Sequence, residues 1–421
     1  MVWIRSFSLG ALLLAVSIVG CAGESAAEHD AATDRDGDVV DGGARDAGDR
    51  DASDLEPGDG GPVDGGSVDG GPIDAPVDGG PIDAGARDGG PRDGGAPAGP
   101  RILYVSTDGD DARDGSTPAR SVLTLTRVHA LVAAGPRDRD VEVRIAPGTY
   151  HGQRVVWDVT MPDHTIRFVT AAADRTRPIF DGCPASGACA GGTWFTLRAS
   201  SGRPSNVELE YLRVTRYTTA ISLNGSRAMR STSNGSNRVF GCYFDRIGNG
   251  FAPSLPTSTA ALRLVNSDDN VIENNHFVDV INATSGALIH AIYAAHGSER
   301  NRIERNRFQG STGDPVRLRD FSNGNVIADN RFIHVGTNAG YTDWYCDHDA
   351  RTDCTSEAPE CPSWDNQFRD NVLDGTWACG TLAVWELFQG DSTTGCAPPS
   401  ATSRRVRTSG NTQTTVPCSM D

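Results

Sequence analysis

The sequence predicts an all-β protein: a right-handed, single-stranded parallel β-helix with a short N-terminal capping helix. A frame of the form Asn-x-Ile/Val-x-x-Asn-x-Phe recurs along the second half of the chain. Its copies begin 24 to 41 residues apart, and about 24 residues make one coil of such a solenoid, with loops accounting for the rest. Within each copy, polar residues flank an apolar one, which is the alternation of a strand and not the period of a helix.

Residues 1–20 are typical of an export signal. Arg5 precedes a 12-residue apolar run, Leu9 to Gly20, which is too short for a membrane-spanning helix of about 20 residues. The run ends at Ile18-Val19-Gly20-Cys21, which resembles a bacterial lipobox, where the cysteine receives lipid. Two or more acyl chains anchor a protein stably. We therefore expect an outer-membrane or cell-surface lipoprotein of a Gram-negative bacterium, with an ordinary signal peptide as the alternative.

Residues 21–100 are predicted to be the lipid-attachment cysteine followed by a disordered tether. From Ala22 to Pro100 the chain has 20 acidic residues, five arginines and no aromatic residue, and it repeats Asp, Gly and Pro. Such a composition cannot bury enough apolar surface to offset the entropy of ordering. The tether would hold a folded domain away from the membrane, and calcium binding by its aspartates is the weaker alternative.

The charge and composition exclude two classes of function. The net charge is −17, but residues 101–421 carry 35 acidic residues against 32 arginines. Nucleic-acid binding needs a basic face, so no nucleic-acid partner is expected. The chain contains no lysine, which excludes mechanisms that need a lysine base. We also expect a monomer.

Residues 101–421 are predicted to form the β-helix, in which equivalent frame positions stack along the axis. Frames begin at Ser205 (a degenerate copy), Asn237, Asn270, Asn301, Asn325 and Asn366. The third position gives an aliphatic inner row of Val239, Ile272, Ile303, Ile327 and Phe368. The eighth gives an aromatic row of Phe244, Phe277, Phe308 and Phe332. The sixth gives an asparagine ladder at a bend, where the αL conformation is accessible to Asn. Its members are Asn275, Asn306, Asn330 and Asn371, and it ends at Cys242.

The first part of this domain carries a resemblance to a known group. Residues 103–118 lead into a helix-like stretch over 121–134 and then into Ala146-Pro147-Gly148-Thr149-Tyr150, and Arg177-Pro178 precedes Asp181-Gly182. These segments resemble bacterial pectate-lyase-like β-helix proteins, and with the repeats the resemblance covers most of 101–421. It implies the fold. The superfamily includes lyases, hydrolases, epimerases and members without known activity, so the fold does not give the function.

A second short alternating segment between the frames places polar residues on the outer face. If Ile221 aligns with Leu262, Ser222, Arg263, Tyr293 and Arg317 stack on adjacent coils. Residues at equal distances before the frame starts Asn301 and Asn325 should lie side by side on adjacent coils. This places His290 beside Asp314 and His296 beside Asp320. Neighbouring coils lie about 4.8 Å apart, so the side chains could converge. The candidate site comprises Arg263, His290, Tyr293, His296, Asp314, Arg317, Arg319 and Asp320.

This face is suited to an anionic polysaccharide, because the arginine guanidinium binds carboxylates through two parallel hydrogen bonds. For β-elimination, a base removes the proton next to a uronate carboxyl whose charge is neutralised. Arg317, Tyr293 and His290 are the candidate catalytic residues. The remaining residues would bind substrate: Arg263, His296, Asp314, Arg319 and Asp320. The expected function is a surface-anchored protein that binds polysaccharide and, if an enzyme, depolymerises it as a lyase. The alternative is a non-catalytic adhesion or structural module with a solvated ladder of Arg–Asp pairs.

The absence of lysine distinguishes between the types of lyase that the chain could be. The resemblance to chondroitinase-B-like enzymes fails at their lysine base. Pectate-lyase-like enzymes use an arginine base with calcium held by aspartates, so calcium is possible, although no acidic cluster has diagnostic spacing. The paired aspartates of polygalacturonase-type hydrolases are not in the expected context. No cofactor is assured, and no metal site is predicted.

Apart from Cys21 the chain has nine cysteines, and exported cysteines usually form disulfides. We expect Cys242, at the inner ladder, to be the odd one, and Cys183 and Cys189 to close a small loop. Fifteen pairings are open to the other six: Cys346, Cys354, Cys361, Cys379, Cys396 and Cys418. Several of these cysteines lie in the long insertion before Asn366, close to Asp347, His348 and Asp349. This combination could form a zinc site, but we expect a loop held by disulfides instead.

Overall fold

The computed structural model describes residues 99–186, 188–189, 191–198, 204–226, 231–252, 258–346, 360–387 and 396–414. Several sequence predictions concern residues outside these ranges. They are the signal segment, Cys21, the tether up to residue 98, and Asp347, His348, Asp349, Cys354 and Cys418. Within the described ranges the chain forms a right-handed parallel β-helix, as predicted.

Three parallel sheets run along the β-helix, and each complete coil contributes one strand to each of them. Sheet 1 contains β1 (Arg101–Val105), β2 (Val141–Ile145), β5 (Ile166–Thr170), β8 (Val207–Glu210), β12 (Arg238–Phe240), β16 (Val271–Glu273), β19 (Arg302–Glu304), β22 (Val326–Ala328), β25 (Asn366–Arg369) and β28 (Val406–Ser409). Sheet 2 contains β3 (Thr149–His151), β6 (Ile179–Asp181), β9 (Arg213–Thr215), β13 (Tyr243–Ile247), β17 (His276–Val280), β20 (Arg307–Ser311), β23 (Arg331–Val335), β26 (Val372–Asp374) and β29 (Thr412–Gln413).

Sheet 3 contains β4 (Val155–Trp157), β7 (Thr193–Arg198), β10 (Thr219–Asn224), β14 (Ala260–Val265), β18 (His290–Ala295), β21 (Val316–Arg319), β24 (Ala339–Trp344) and β27 (Ala383–Leu387). A two-stranded sheet pairs β11 (Asn234–Gly235) with β15 (Ser267–Asp268). The short 3₁₀ helices are Pro118–Arg120 and Gly286–Leu288. Each sequence frame therefore covers two strands, one in sheet 1 and one in sheet 2, and the segment between frames supplies the strand of sheet 3.

Helix α1 (Leu125–Ala133) packs against the first coils as the predicted cap. It begins at Thr124, whose hydroxyl accepts a hydrogen bond from the Arg127 amide at 3.1 Å, as an N-cap should. The buried Leu125, Val128 and Val132 lie on one face at helical spacing. In the part of the chain that the structure describes, no helix is long and apolar enough to cross a membrane.

The predicted inner rows are present. The third-position residues pair in register in sheet 1 and are buried. The phenylalanine row stacks, with ring centroids 4.9 Å apart between Phe244 and Phe277, 5.1 Å between Phe277 and Phe308, and 4.9 Å between Phe308 and Phe332. Continuous stacking of this kind makes each coil's core an extension of the next.

The asparagine ladder follows the predicted bend and has one more member. Hydrogen bonds of 3.1 to 3.2 Å, each from one side-chain Nδ2 to the next Oδ1, link Asn275, Asn306, Asn330, Asn371 and Asn411. At the other end, the Cys242 amide donates to Asn275 Oδ1 at 2.9 Å. The αL conformation, however, belongs to the residue before each ladder asparagine. Apart from the glycines at the two ends of the ladder, these preceding residues are exposed. They are Asn274, Arg305, Asp329 and Asp370.

The first position of the frame forms a second ladder that the sequence analysis did not predict. Asn237 Nδ2 donates to Asn270 Oδ1 at 2.9 Å, Asn270 Nδ2 to Asn301 Oδ1 at 2.7 Å, and Asn325 Nδ2 to Asn366 Oδ1 at 3.2 Å. The Asn301 amide N–H, 2.8 Å from Asn325 Oδ1, closes the remaining step. Two ladders therefore flank each strand of sheet 1 in these coils.

The degenerate frame at Ser205 was placed wrongly by two residues. Val239 pairs with Leu209, not with Val207. Strand alternation has a period of two, so a shift of two residues keeps the same side chains inside. With no asparagine at the bend of this coil, the sequence offered nothing to distinguish the two registers.

Two disulfides are seen within the described ranges: Cys183–Cys189, as expected, and Cys361–Cys396. Cys346 and Cys379 are also disulfide-bonded. Cys242 is a free, buried thiol, the position expected to be unpaired. The bond from Cys361 fixes the end of the long insertion where the chain returns to the β-helix.

Candidate functional site

Sheet 3 aligns three of the predicted site residues, Arg263, Tyr293 and Arg317, in one outer column. Ser222 pairs with Arg263, Arg263 with Tyr293, and Tyr293 with Arg317. The column continues from Arg317 to Thr342 and then to Glu386 on β27. Arg263 and Tyr293 are partly exposed, whereas Arg317 is only 3 % exposed. The predicted register is therefore present, but the column opens to solvent over only part of its length.

Arg319 is the centre of the hydrogen bonding on this face. Its Nε donates to Glu360 Oε2 at 2.7 Å and its Nη1 to the Tyr293 hydroxyl at 3.1 Å. Its guanidinium carbon lies 4.2 Å from the centroid of the Trp344 ring. Burial opposes its charge, but Tyr293 and Glu360 favour that charge more strongly, and the pKa of Arg319 lies well above its ordinary value. Arg319 is thus a permanent cation at the phenol oxygen.

His290 lies behind Tyr293 as a neutral ring. The two rings are nearly parallel, with centroids 5.7 Å apart. His290 Nδ1 lies 2.6 Å from the backbone carbonyl oxygen of Asp314. A carbonyl can only accept, so Nδ1 carries the proton. Burial, and then the charge of Arg317, hold the pKa of His290 well below its ordinary value.

Asp314 and Arg317 are engaged within the fold. Asp314 is 1 % exposed, and its Oδ1 accepts from the backbone amides of Thr337, Asn338 and Ala339 at 2.9 to 3.2 Å. Arg317 Nε donates to Thr342 Oγ1 at 3.2 Å, and its Nη2 lies 3.9 Å from Asp314 Oδ2. These contacts hold the turn that leads into β24. They do not form the solvated ladder of the alternative interpretation, because the groups are buried.

His296 and Asp320 meet as predicted, and Glu360 joins them. His296 Nδ1 lies 3.1 Å from Asp320 Oδ2 and 3.7 Å from Glu360 Oε1. All three residues are at least nine-tenths buried. Among the described residues they form the one group of histidine and carboxylate atoms close enough to share a metal ion.

Sequence reasoning missed Glu360 and Thr342. Thr342 could have been found by extending the column through one more coil. Glu360 gave no such signal, because it lies in the longest spacing between frames, where the repeat does not fix the path of the chain. The structure brings it to the site beside the Cys361–Cys396 disulfide.

No protein-family model and no curated protein matches the chain. Several solved structures are similar. A pectate lyase, Pel9A, is 15 % identical with a TM-score of 0.39, over 72 % of this chain and 82 % of that one. An alginate lyase from Paenibacillus sp. is 14 % identical with a TM-score of 0.43, over 68 % and 91 %. A rhamnogalacturonan lyase is 12 % identical with a TM-score of 0.32, over 72 % and 90 %. At these identities the similarity concerns the fold alone.

Proposed function

We propose that the chain binds an acidic polysaccharide along the outer face of sheet 3 and cleaves it by β-elimination. The observation that carries this proposal is the hydrogen bond from Arg319 to the hydroxyl of the partly exposed Tyr293. A cation fixed at a phenol oxygen stabilises the negative charge which that oxygen carries as a base. Tyr293 therefore takes the role of base, in place of the buried Arg317.

Arg263 is the matching group for the substrate carboxylate. It precedes Tyr293 in the outer column and is partly exposed, one coil spacing away. Its guanidinium can hold a carboxylate by two parallel hydrogen bonds. Neutralising this carboxylate makes the adjacent C–H proton more acidic, which is the requirement for elimination.

The reaction balances without a cofactor. The Tyr293 phenolate takes the proton at the carbon next to the uronate carboxyl. The electron pair of that C–H bond forms a double bond to the neighbouring ring carbon, and the bond from this carbon to the glycosidic oxygen breaks. The leaving oxygen takes a proton, which Tyr293 can return. His290 positions the tyrosine ring and takes no proton.

The test is to measure unsaturated-uronate absorbance over a panel of acidic polysaccharides, together with glycan affinity. Tyr293→Phe should lower kcat by about 100-fold or more and leave binding nearly unchanged, because only the hydroxyl is lost. Tyr243→Phe, a partly buried tyrosine of sheet 2, is the matched control and should retain activity. Arg263→Ala should weaken binding about tenfold, and high salt should do the same to the parent.

The outcomes separate the candidate functions. Binding without any unsaturated product would leave a carbohydrate-binding module. Full activity in Tyr293→Phe would remove the tyrosine from the chemistry. A parent that neither binds nor cleaves any acidic glycan would contradict the proposal and favour the adhesion or structural module.

We also propose that lipid on Cys21 holds the β-helix at a membrane surface. The support is the sequence around Cys21 and the acidic segment that separates it from the first strand. A protein held in this way would meet polysaccharide outside the cell.

A further inference from the structure

Three side chains from three successive passes of the chain converge beside sheet 3. His296 follows β18, Asp320 follows β21, and Glu360 precedes the next frame. Each offers one ligand atom, and these atoms lie within 4.8 Å of one another. The repeat places His296 and Asp320 on adjacent coils, and the disulfide at Cys361 fixes the chain next to Glu360.

The distances suit a bound ion. Nitrogen and carboxylate ligands lie about 2.0–2.2 Å from zinc, so two ligands on one tetrahedral ion are about 3.4 Å apart. His296 Nδ1 is 3.1 Å from Asp320 Oδ2 and 3.7 Å from Glu360 Oε1. These two distances lie on either side of the ideal value, and the three ligand atoms all lie within 4.8 Å of one another.

Each carboxylate is already oriented by its other oxygen. Asp320 Oδ1 accepts from the Cys361 amide at 3.2 Å. Glu360 Oε2 accepts from Arg319 Nε at 2.7 Å and from the Cys346 amide at 2.9 Å. The oxygens that face His296 are thus Oδ2 and Oε1. Outer hydrogen bonds of this kind are what orient metal ligands in proteins.

We propose that His296, Asp320 and Glu360 bind one divalent transition-metal ion, with zinc as the best match. One imidazole and two carboxylates form a donor set for this class, whereas calcium prefers oxygen ligands alone. Three protein ligands leave a fourth position for water. The proposal does not rest on polysaccharide cleavage, since metal binding is measured without glycan.

The test uses the full chain without an affinity tag, stripped with a chelator and titrated with ZnCl₂ by calorimetry, with bound metal counted by elemental analysis. We expect one tight equivalent per chain in the parent. His296→Ala and the nearly isosteric Asp320→Asn should each weaken it by more than about 100-fold, since loss of an outer partner alone costs about 10- to 100-fold. His129→Ala is the matched control. His129 Nε2 lies 2.7 Å from one carboxylate, that of Asp158, and removing it should leave the tight equivalent intact.

Weak extra binding by the acidic segment 22–100 should be equal in all variants, so the difference between variants is decisive. Co²⁺ substitution should add a visible absorption band that Asp320→Asn loses. Three results would each overturn the proposal: no tight equivalent in the parent, unchanged tight binding in a folded Asp320→Asn variant, or binding of Ca²⁺ in preference to Zn²⁺.

Discussion

Asp343 is a carboxyl group inside the β-helix at a place where other coils carry aliphatic side chains. Its column in sheet 3 runs through Leu223, Leu264, Ala294 and Leu318. Asp343 Oδ2 accepts from the Ser363 amide at 3.2 Å, while Oδ1 has no hydrogen-bond partner among the described residues. Burial raises the pKa of Asp343 to about 7, although the hydrogen bond from the Ser363 amide opposes the shift.

The folded state therefore binds a proton at Asp343 that the unfolded chain releases near its ordinary pKa of 3.8. Between about pH 4 and pH 7 the folded state holds this proton and the unfolded chain does not, so the free energy of unfolding should fall as the pH rises through this range. Above about pH 7 both states are ionised, and the free energy of unfolding should stay level. Asp343→Asn cannot ionise. Relative to the parent it should gain on the order of 3 kcal/mol in the free energy of unfolding between pH 4 and pH 8, measured by denaturant titration.

Asp163→Asn provides the control for this prediction. Asp163 is exposed, so its substitution should shift the free energy of unfolding by a similar small amount at both pH values. A difference between parent and Asp343→Asn that is the same at pH 4 and pH 8 would mean that Asp343 is already ionised in the folded protein.

At the scale of the element, the asparagine ladders are what distinguish this β-helix from a stack of aliphatic rows. Asn306 Oδ1 accepts from the amide and the side chain of Asn275, at 2.9 and 3.1 Å. Asn306 Nδ2 donates to the Ile272 carbonyl at 2.8 Å and to Asn330 at 3.2 Å. The side chain thus satisfies buried backbone groups at the bend, where the sheet cannot.

Asn306→Ala should lower the free energy of unfolding by roughly 3–5 kcal/mol, because it leaves a buried amide and a buried carbonyl without partners. Asn338→Ala makes the same chemical change where the side chain donates to the neighbouring Thr337 at the surface, and it should cost under about 1 kcal/mol. Thermal and denaturant unfolding of both variants measures the contrast. Equal losses in the two variants would show that the ladder adds nothing beyond local hydrogen bonding.

The repeat predicted the elements well because each frame position has one physical role. Ile272 and Phe277 had to face inward, and Asn275 had to lie where the chain bends. The two-residue error at Ser205 arose because alternation alone does not choose between positions of equal parity. The first ladder was missed although its asparagine recurs at the first position of the frame. Asn411 was missed because its frame starts with Val406 instead of asparagine.

The candidate site was only half predictable for a different reason. The register of Arg263, Tyr293 and Arg317 follows from the repeat, so the neighbours were correct. Whether Arg317 is exposed depends on what packs over it, and the repeat holds no information on that. Glu360, which binds Arg319 and faces His296, comes from an insertion whose path no periodicity describes.

At the scale of the whole molecule, the sequence separates two regions by charge. Residues 22–100 carry 20 acidic residues and five arginines, whereas 101–421 are nearly neutral. If Cys21 carries lipid, as we propose, this acidic segment of the sequence separates the anchor from residues 101–421.

The anchor itself is open to a direct test in a Gram-negative host. Cys21→Ser should abolish labelling by radioactive palmitate and move the protein from the membrane fraction to the soluble fraction, because all the acyl chains are carried by that cysteine and supply the membrane affinity. Cys242→Ser is the matched control, since it removes the buried free thiol and should keep both the label and the membrane fraction. Equal labelling of Cys21→Ser and the parent would refute the anchor. Loss of label in Cys242→Ser with label kept in Cys21→Ser would instead place the lipid on the Cys242 sulfur, in conflict with the lipobox.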